Sequence, residues 1–287
     1  MQIPIQLVEC PRDAMQGWPE LIPTERKTAY LNELLKVGFH TLDFGSFVSP
    51  KAIPQMADTK IVLESLDWQS SNTRLLAIIA NTRGAEEAAS FEGVRYLGFP
   101  LSVSPSFQQR NTNSTIIESF DRVREIQQIC TRTGKELVVY LSMAFGNPYG
   151  DPYNPEDVLG WATKCHTEGI NIISLADTVG LATAEQVGEL TKLLTTALPH
   201  SAIGVHLHST PHNWKSKAEA AFLSGCHRFD GALKGIGGCP MAGNALVGNM
   251  NTEWLISYFS EKGIDLGLNQ EALEKCLSMA GEIFAAG

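Results

Sequence analysis

The chain has 287 residues, of which 44% are hydrophobic and 18% charged, enough for one large α/β domain or two small ones. A formal net charge of −9 argues against a nucleic-acid partner, because neutralising phosphates requires a basic surface. No apolar run approaches the roughly 20 residues that cross a bilayer, so we expect no membrane partner. The first predicted strand begins almost at Met1, so we expect no targeting peptide. The six cysteines form no C-x-x-C pair, which predicts reduced thiols and a cytoplasmic protein.

Short apolar runs recur along the whole chain and predict eight strands. Most of these runs are continuous rather than alternating, which is typical of a parallel sheet covered on both faces. The predicted strands cover residues 4–9, 38–43, 75–80, 95–99, 136–142, 170–176, 202–208 and 228–233.

Segments with helical periodicity separate most of these runs. The clearest helices are predicted at 24–37, 116–134, 155–169 and 183–198. Gly134 stands where a C-terminal stop belongs, and Asn154 precedes Pro155 as an N-cap precedes the first helical residue.

Strand and helix alternating eight times predict a (β/α)8 TIM barrel, a single catalytic domain spanning residues 1–287. The tail from about residue 251 is expected to add C-terminal helices. The alternative, an open doubly wound sheet, is disfavoured because no G-x-G-x-x-G follows the first strand.

Two histidines one residue apart end the seventh predicted strand, in the segment Gly204-Val205-His206-Leu207-His208. On a strand, this spacing places both imidazoles on one face, as half of a divalent-metal site requires. Strand-end histidines that bond to backbone groups are the competing interpretation.

Polar residues also follow other predicted strands, where a barrel of this kind forms its active site. These include Arg12 and Asp13, Asp43, and Asp177 beside Thr178. A surface ion pair is the alternative for the first pair, and a helix cap for Asp177. The last strand runs into Gly235-Ile236-Gly237-Gly238-Cys239-Pro240, whose glycines permit close approach to a ligand. Cys239 is either held over the barrel mouth or is an inert buried thiol.

In these segments the chain resembles the 3-hydroxy-3-methylglutaryl-CoA lyase family of metal-dependent TIM-barrel lyases and condensing enzymes. The matching segments are Pro11-Arg12-Asp13, Ser46-Phe47-Val48-Ser49-Pro50-Lys51, Ser174-Leu175-Ala176-Asp177-Thr178-Val179-Gly180, His206-x-His208 and the glycine loop with Cys239. The Ser-Phe-Val segment is more similar to the lyase branch than to the condensing synthases.

The resemblance implies a Mg2+ or Mn2+ cofactor bound by Asp13, His206, His208 and Asn249. These carboxylate, imidazole and amide groups suit an octahedral ion, which would lower the pKa of the substrate hydroxyl as the carbon–carbon bond breaks.

The resemblance also implies cleavage of 3-hydroxy-3-methylglutaryl-CoA, or a close 3-hydroxyacyl-CoA, to acetyl-CoA and acetoacetate, as in leucine degradation and ketone-body metabolism. Arg12 would bind substrate and stabilise the thioester enolate. Cys239 or His206 would return a proton to carbon, and Asp43 and Asp177 would contact the substrate. We also expect a homodimer or a higher homo-oligomer.

Two departures from the family concern the substrate site. Asp43 stands where these lyases have glutamate, and the loop before Asn249 is one residue longer than usual. A condensing synthase, a 2-oxo acid aldolase and a non-catalytic binding barrel are the alternative functions.

Overall fold

Eight parallel strands form a closed barrel in chain order, with the first strand paired to the eighth. The computed structural model describes residues 4–238 and 247–285. The strands are β1 Gln6–Glu9, β2 Thr41–Ser46, β3 Arg74–Ile78, β4 Val94–Ser102, β5 Glu136–Ser142, β6 Ile172–Ala176, β7 Ala202–His206 and β8 Arg228–Gly231. The predicted (β/α)8 barrel is confirmed.

Helices follow the strands and cover the outside of the barrel. They are α1 Pro11–Gln16, α2 Thr24–Val37, α3 Thr59–Glu64, α4 Thr82–Ala89, α5 Pro105–Thr112, α6 Ile116–Thr133, α7 Pro155–Thr167, α8 Ala184–Ala197, α9 Trp214–Leu223, α10 Thr252–Glu261 and α11 Gln270–Ile283. None of the helices in the described ranges is long and apolar enough to cross a membrane.

The predicted helix ends are largely confirmed. The bounds of α2 match the prediction, and α6 stops at Gly134, which takes the left-handed conformation with φ of 69°. The Asn154 side chain accepts a hydrogen bond from the Glu156 N–H and caps α7, with Pro155 as the first helical residue. Local capping chemistry therefore sets these ends.

The predicted second strand is displaced toward the N-terminus by about three residues. Gly38 ends α2 with a φ of 89°, so the chain must turn before β2 begins at Thr41. Asp43 consequently lies inside β2 rather than at its end.

Two predicted strand ends are also corrected. β1 stops at Glu9 because Pro11 has no N–H for a ladder and instead begins α1, which carries Arg12 and Asp13. β7 stops at His206, so His208 lies beyond the strand.

The C-terminal tail adds helices after the barrel closes, as the sequence predicts. α10 follows β8, and α11 comes after it. Helix α11 packs on α2, where Lys275 binds Glu33 at 2.7 Å and the Asn269 N–H donates to the Val37 carbonyl.

The barrel interior is filled by side chains, so the functional site lies at its mouth. A small cluster from β3 to β6 occupies part of this interior: Leu76, Tyr96, Val138, Tyr140 and Ile172. A larger apolar core joins the outer faces of the strands to the helices. In barrels of this kind the ligand binds at the carboxyl ends of the strands and in the loops beyond them.

Candidate active site

A cavity of about 400 Å³ lies at the carboxyl ends of the strands. Its apolar wall includes Val48, Ile53, Ile78 and Pro100. Five of the predicted site residues line it: Arg12, Asp13, Asp43, His206 and His208. The structure therefore brings most of the predicted site to one cavity.

The two histidines lie side by side, with ring centroids 5.5 Å apart. His206 Nδ1 lies 3.2 Å from an Asp230 carboxylate oxygen, and His208 Nδ1 lies 2.8 Å from the Val247 carbonyl. Because these partners are acceptors, the Nδ1 atoms donate, and each Nε2 keeps a lone pair when its ring is neutral. This arrangement orients metal-binding imidazoles in many proteins.

Burial and charge act differently on these two rings. Burial lowers the pKa of His208, and the neighbouring His206 lowers it further. Burial also opposes the charged form of His206, but the Asp230 carboxylate raises its pKa above the ordinary value. His208 is therefore the more readily neutral ligand of the pair.

Asp13 and Asn249 meet beside the histidines. The Asn249 amide donates to Asp13 Oδ2 at 2.7 Å and to the Ile236 carbonyl at 2.9 Å. A β-bridge pairs the backbone of Asn249 with that of His208. Burial opposes ionisation of Asp13, but Arg12 and His206 lower its pKa below the ordinary range.

The Asn249 side-chain oxygen is left without a partner. Asn249 is only 3% exposed, and its Oδ1 has no hydrogen-bond donor among the described residues. A buried acceptor without a donor is costly unless a cation or water satisfies it. This orphaned oxygen, with the Asp13 carboxylate and two oriented imidazoles, fits a hard divalent ion such as Mg2+ or Mn2+.

The most closely spaced set of potential metal ligands is a different group of three residues. Within residues 4–238 and 247–285, one set of three cysteine, histidine or acidic groups has ligand atoms within 4.8 Å of one another: Cys10, His206 and Asp230. Asp13 is held instead by Arg12, at 3.0 Å, and by Gln16 and Asn249. Four-residue coordination of one ion therefore stays a prediction.

Arg12 is fixed by carboxylates on both sides. Its Nε donates to Asp43 Oδ2 at 3.0 Å, and Nη1 donates to Asp13 and to Gln16. Burial alone would lower the pKa of Arg12, but Asp43 and Asp13 raise it above its ordinary value. Burial also raises the pKa of Asp43 to about 6, against the pull of Arg12. The alternative interpretation of Arg12 and Asp13 as a surface ion pair is therefore wrong, because both side chains are buried.

Asp177 does not line the cavity, although its neighbour Thr178 does. Its Oδ1 accepts a hydrogen bond from the Ala182 N–H at 3.0 Å, and its Oδ2 binds Lys217 Nζ at 2.8 Å. Lys217 also donates to the His208 carbonyl at 2.8 Å. The described contacts of Asp177 are therefore structural, close to the capping alternative, and they do not support substrate binding.

Cys239 lies in residues 239–246, outside the described part of the chain. The preceding Gly237 is described and has a φ of 101°. A Cβ at this position would lie 2.6 Å from the Asn249 amide nitrogen and 3.0 Å from the Asp13 carbonyl oxygen. Glycine is thus required where the chain passes the Asp13–Asn249 pair.

The sequence analysis did not identify Asp230, Lys217 or Tyr140. Asp230 is a carboxylate inside a buried strand, and that unusual placement was the available signal. Tyr140 lines the cavity from β5, and Lys217 is one of the two lysines of α9, with no pattern that distinguishes it.

Comparison with known proteins identifies the family. The HMGL-like family matches residues 5–279. A (R)-citramalyl-CoA lyase of Chloroflexus aurantiacus is 32% identical over 272 residues, which cover 92% of this chain and 85% of that protein. The mitochondrial hydroxymethylglutaryl-CoA lyase of Mus musculus is also 32% identical, covering 94% of this chain and 82% of that protein.

Solved structures agree with these relatives. An HMG-CoA lyase from Acinetobacter baumannii, in complex with coenzyme A and 3-methylmalate, has a TM-score of 0.90 and 29% identity, covering 98% of this chain and 91% of that chain. The HMG-CoA lyase of Brucella melitensis has a TM-score of 0.90 and 27% identity, covering 98% of each chain. With the barrel and the residues at its mouth, these matches show that the chain belongs to the HMGL-like family and is a carbon–carbon lyase.

Proposed function

We propose that this lyase cleaves 3-hydroxy-3-methylglutaryl-CoA to acetyl-CoA and acetoacetate and that it requires Mg2+ or Mn2+. The orphaned Asn249 oxygen beside Asp13 and two oriented imidazoles is the observation that carries the metal requirement. Similarity to hydroxymethylglutaryl-CoA lyases supports the substrate. Citramalyl-CoA is the second candidate, because a lyase named for it is equally similar.

Asp13, His206, His208 and Asn249 would hold the ion. When bound, the ion would polarise the substrate oxygens and ease loss of the hydroxyl proton. All four residues present a nitrogen or oxygen donor, as these hard ions prefer.

Arg12 supplies fixed positive charge at the cavity wall. As the carbon–carbon bond breaks, charge develops on the thioester oxygen of the leaving fragment, and a planar guanidinium can donate to it. Asp43 holds this guanidinium through hydrogen bonds from Nε and Nη2, so it acts as a positioning residue. Little reorganisation is then needed during the reaction.

The last step that the protein's side chains would carry out is a proton transfer. The released enolate carbon needs a proton, which we assign to Cys239 or to His206. Asp230 orients the His206 ring through Nδ1. The apolar wall limits water around the developing negative charge, which strengthens its interaction with Arg12.

Substrate profiling with metal control tests the proposal. The protein is stripped with EDTA and supplied in turn with Mg2+, Mn2+ or neither, and acetyl-CoA release from each candidate thioester is measured by mass spectrometry. A lyase releases acetyl-CoA, whereas a condensing synthase consumes it. Activity that is unchanged by EDTA would refute the metal requirement, and consumption of acetyl-CoA would support the synthase alternative.

Mn2+ binding tests the ligand set without a substrate. His208→Ala and Asn249→Ala should weaken Mn2+ binding, followed by electron paramagnetic resonance, at least tenfold. His212→Ala is the matched control, because His212 is exposed and lies four residues beyond His208. Equal Mn2+ affinity in all three variants would exclude the proposed ligands.

A further inference from the structure

We propose that Cys10, His206 and Asp230 form a second metal site, selective for a soft or borderline ion such as Zn2+, and that its occupation inhibits the lyase. The three residues come from different elements: the end of β1, the end of β7 and the middle of β8. A thiol, an imidazole and a carboxylate together are a donor set for Zn2+ rather than for Mg2+.

The geometry of the cluster suits an ion of this size. One ligand atom from each residue lies within 4.8 Å of the other two. Bonds of about 2.3 Å to sulfur and about 2.0 Å to nitrogen or oxygen place ligand atoms roughly 3.5 Å apart around a tetrahedral ion. Side-chain movements of about 1 Å would therefore complete the site, with a water in the fourth position.

Asp230 provides an independent indication of a missing partner. It is 2% exposed, and its Oδ1 has no hydrogen-bond partner among the described residues, while its Oδ2 binds His206. A buried carboxylate oxygen without a hydrogen-bond donor is rare inside a protein, because its desolvation is then uncompensated. A cation shared with Cys10 would supply that compensation.

The surroundings of Cys10 favour a cation. The thiol is 1% exposed, and its one described hydrogen bond is a long contact of 3.9 Å to the Val8 carbonyl. Burial, and after it the carboxylates of Asp230, Asp43 and Asp13, raise the pKa of this thiol well above its ordinary value, so a proton stays where a cation would bind. When Zn2+ binds, a Zn–S bond replaces the S–H bond, and the thiol proton leaves to solvent.

Inhibition follows because His206 belongs to both sites. The hard-metal site needs the His206 ring in the orientation that Asp230 now fixes. Zn2+ bound to Cys10 and Asp230 would take His206 Nδ1 as its third ligand, and the proton that Nδ1 now shares with Asp230 would move to Nε2 or to solvent. The second site therefore competes with the catalytic arrangement through one shared side chain, and a chelator should reverse the effect.

Metal titration of the metal-free, full-length protein tests this site, and it needs no substrate. With Co2+ as the spectroscopic probe, wild type should bind with a thiolate-to-metal charge-transfer band. Cys10→Ser should lose this band and bind Zn2+ at least tenfold more weakly, while retaining activity with Mg2+ and losing inhibition by Zn2+. Cys10→Ala is the second variant if the serine variant does not fold.

Cys226→Ser is the matched control, because Cys226 is also buried but its thiol contacts the Ile203 and Arg228 carbonyls instead. This variant should keep the band and the Zn2+ affinity. A band that persists in Cys10→Ser, or that disappears only in Cys239→Ser, would overturn the site. Absence of a band in wild type would overturn it as well. Failure of the proposed lyase function would leave these binding results unchanged.

Discussion

Glu9 provides a stability prediction that the structure specifies closely. Its side chain is 0% exposed, its Oε1 accepts the Leu233 N–H at 2.9 Å, and its Oε2 contacts the Thr252 hydroxyl. Burial raises the pKa of Glu9 to about 8 from an ordinary value of 4.5, and the two hydrogen bonds only partly oppose this rise. Replacing Glu9 with glutamine keeps the shape and removes the ionisable group.

The dependence of stability on pH follows from the difference between the pKa of Glu9 in the folded chain and its pKa in the unfolded chain. Because the native pKa is the higher one, Glu9 contributes fully to stability below about pH 4.5, and this contribution is lost as pH rises to about 8. At pH 7 the native chain must hold a proton that the unfolded chain releases. At about 1.4 kcal/mol per pH unit, this costs roughly 3 kcal/mol of unfolding free energy. The glutamine variant avoids that cost.

Urea unfolding of wild type and Glu9→Gln from pH 5 to pH 8 measures the effect. As pH rises, the unfolding free energy of Glu9→Gln should increase relative to that of wild type. Contributions from other titrating groups are the same in both proteins and cancel in this difference. Glu64→Gln is the control, since Glu64 is exposed, and its difference from wild type should not change with pH. A Glu9→Gln difference that is constant across this range, or that moves toward wild type, would refute a protonated Glu9.

Three further predictions concern the site. Arg12→Lys should lower kcat roughly 100-fold, because one ammonium cannot reproduce the forked contacts with Asp43; turnover near wild type would show that charge alone suffices. Lys217→Met should cost roughly 3–5 kcal/mol in chemical unfolding by leaving the Asp177 carboxylate buried and unpaired, and a loss below 1 kcal/mol would contradict this burial. Cys239→Ser should cut turnover strongly with little change in melting temperature; normal steady-state turnover would leave proton delivery to another group.

Much of the fold is predictable from the sequence because its signals are local. Continuous apolar runs mark buried parallel strands, and the stop at Gly134 and the cap at Asn154 depend on residues within one helical turn. The start of β2 depends on how far the chain turns after Gly38. Since that turn is set by packing against the barrel, an apolar pattern alone misplaces the strand by a few residues.

The sequence predicts which residues reach the cavity more reliably than it predicts which residues they contact. Arg12, Asp13 and the two histidines stand at the cavity as expected, since barrel topology gathers the ends of the strands. The partners of these residues are far away in sequence. Asp177 is separated from Lys217 by 40 residues, and no local pattern shows that their charges meet. Pairings of this kind exist only once the chain is folded.

The contact between Asp13 and Asn249 has a consequence for the order of assembly. These side chains are 236 positions apart in the chain, yet they share a hydrogen bond at the heart of the proposed metal site. During synthesis the first partner emerges long before the second, and β8 closes the barrel on β1 only near the end. The site therefore cannot form until residue 249 has been synthesised and β8 has closed the barrel. Acquisition of the ion would report that both steps have taken place.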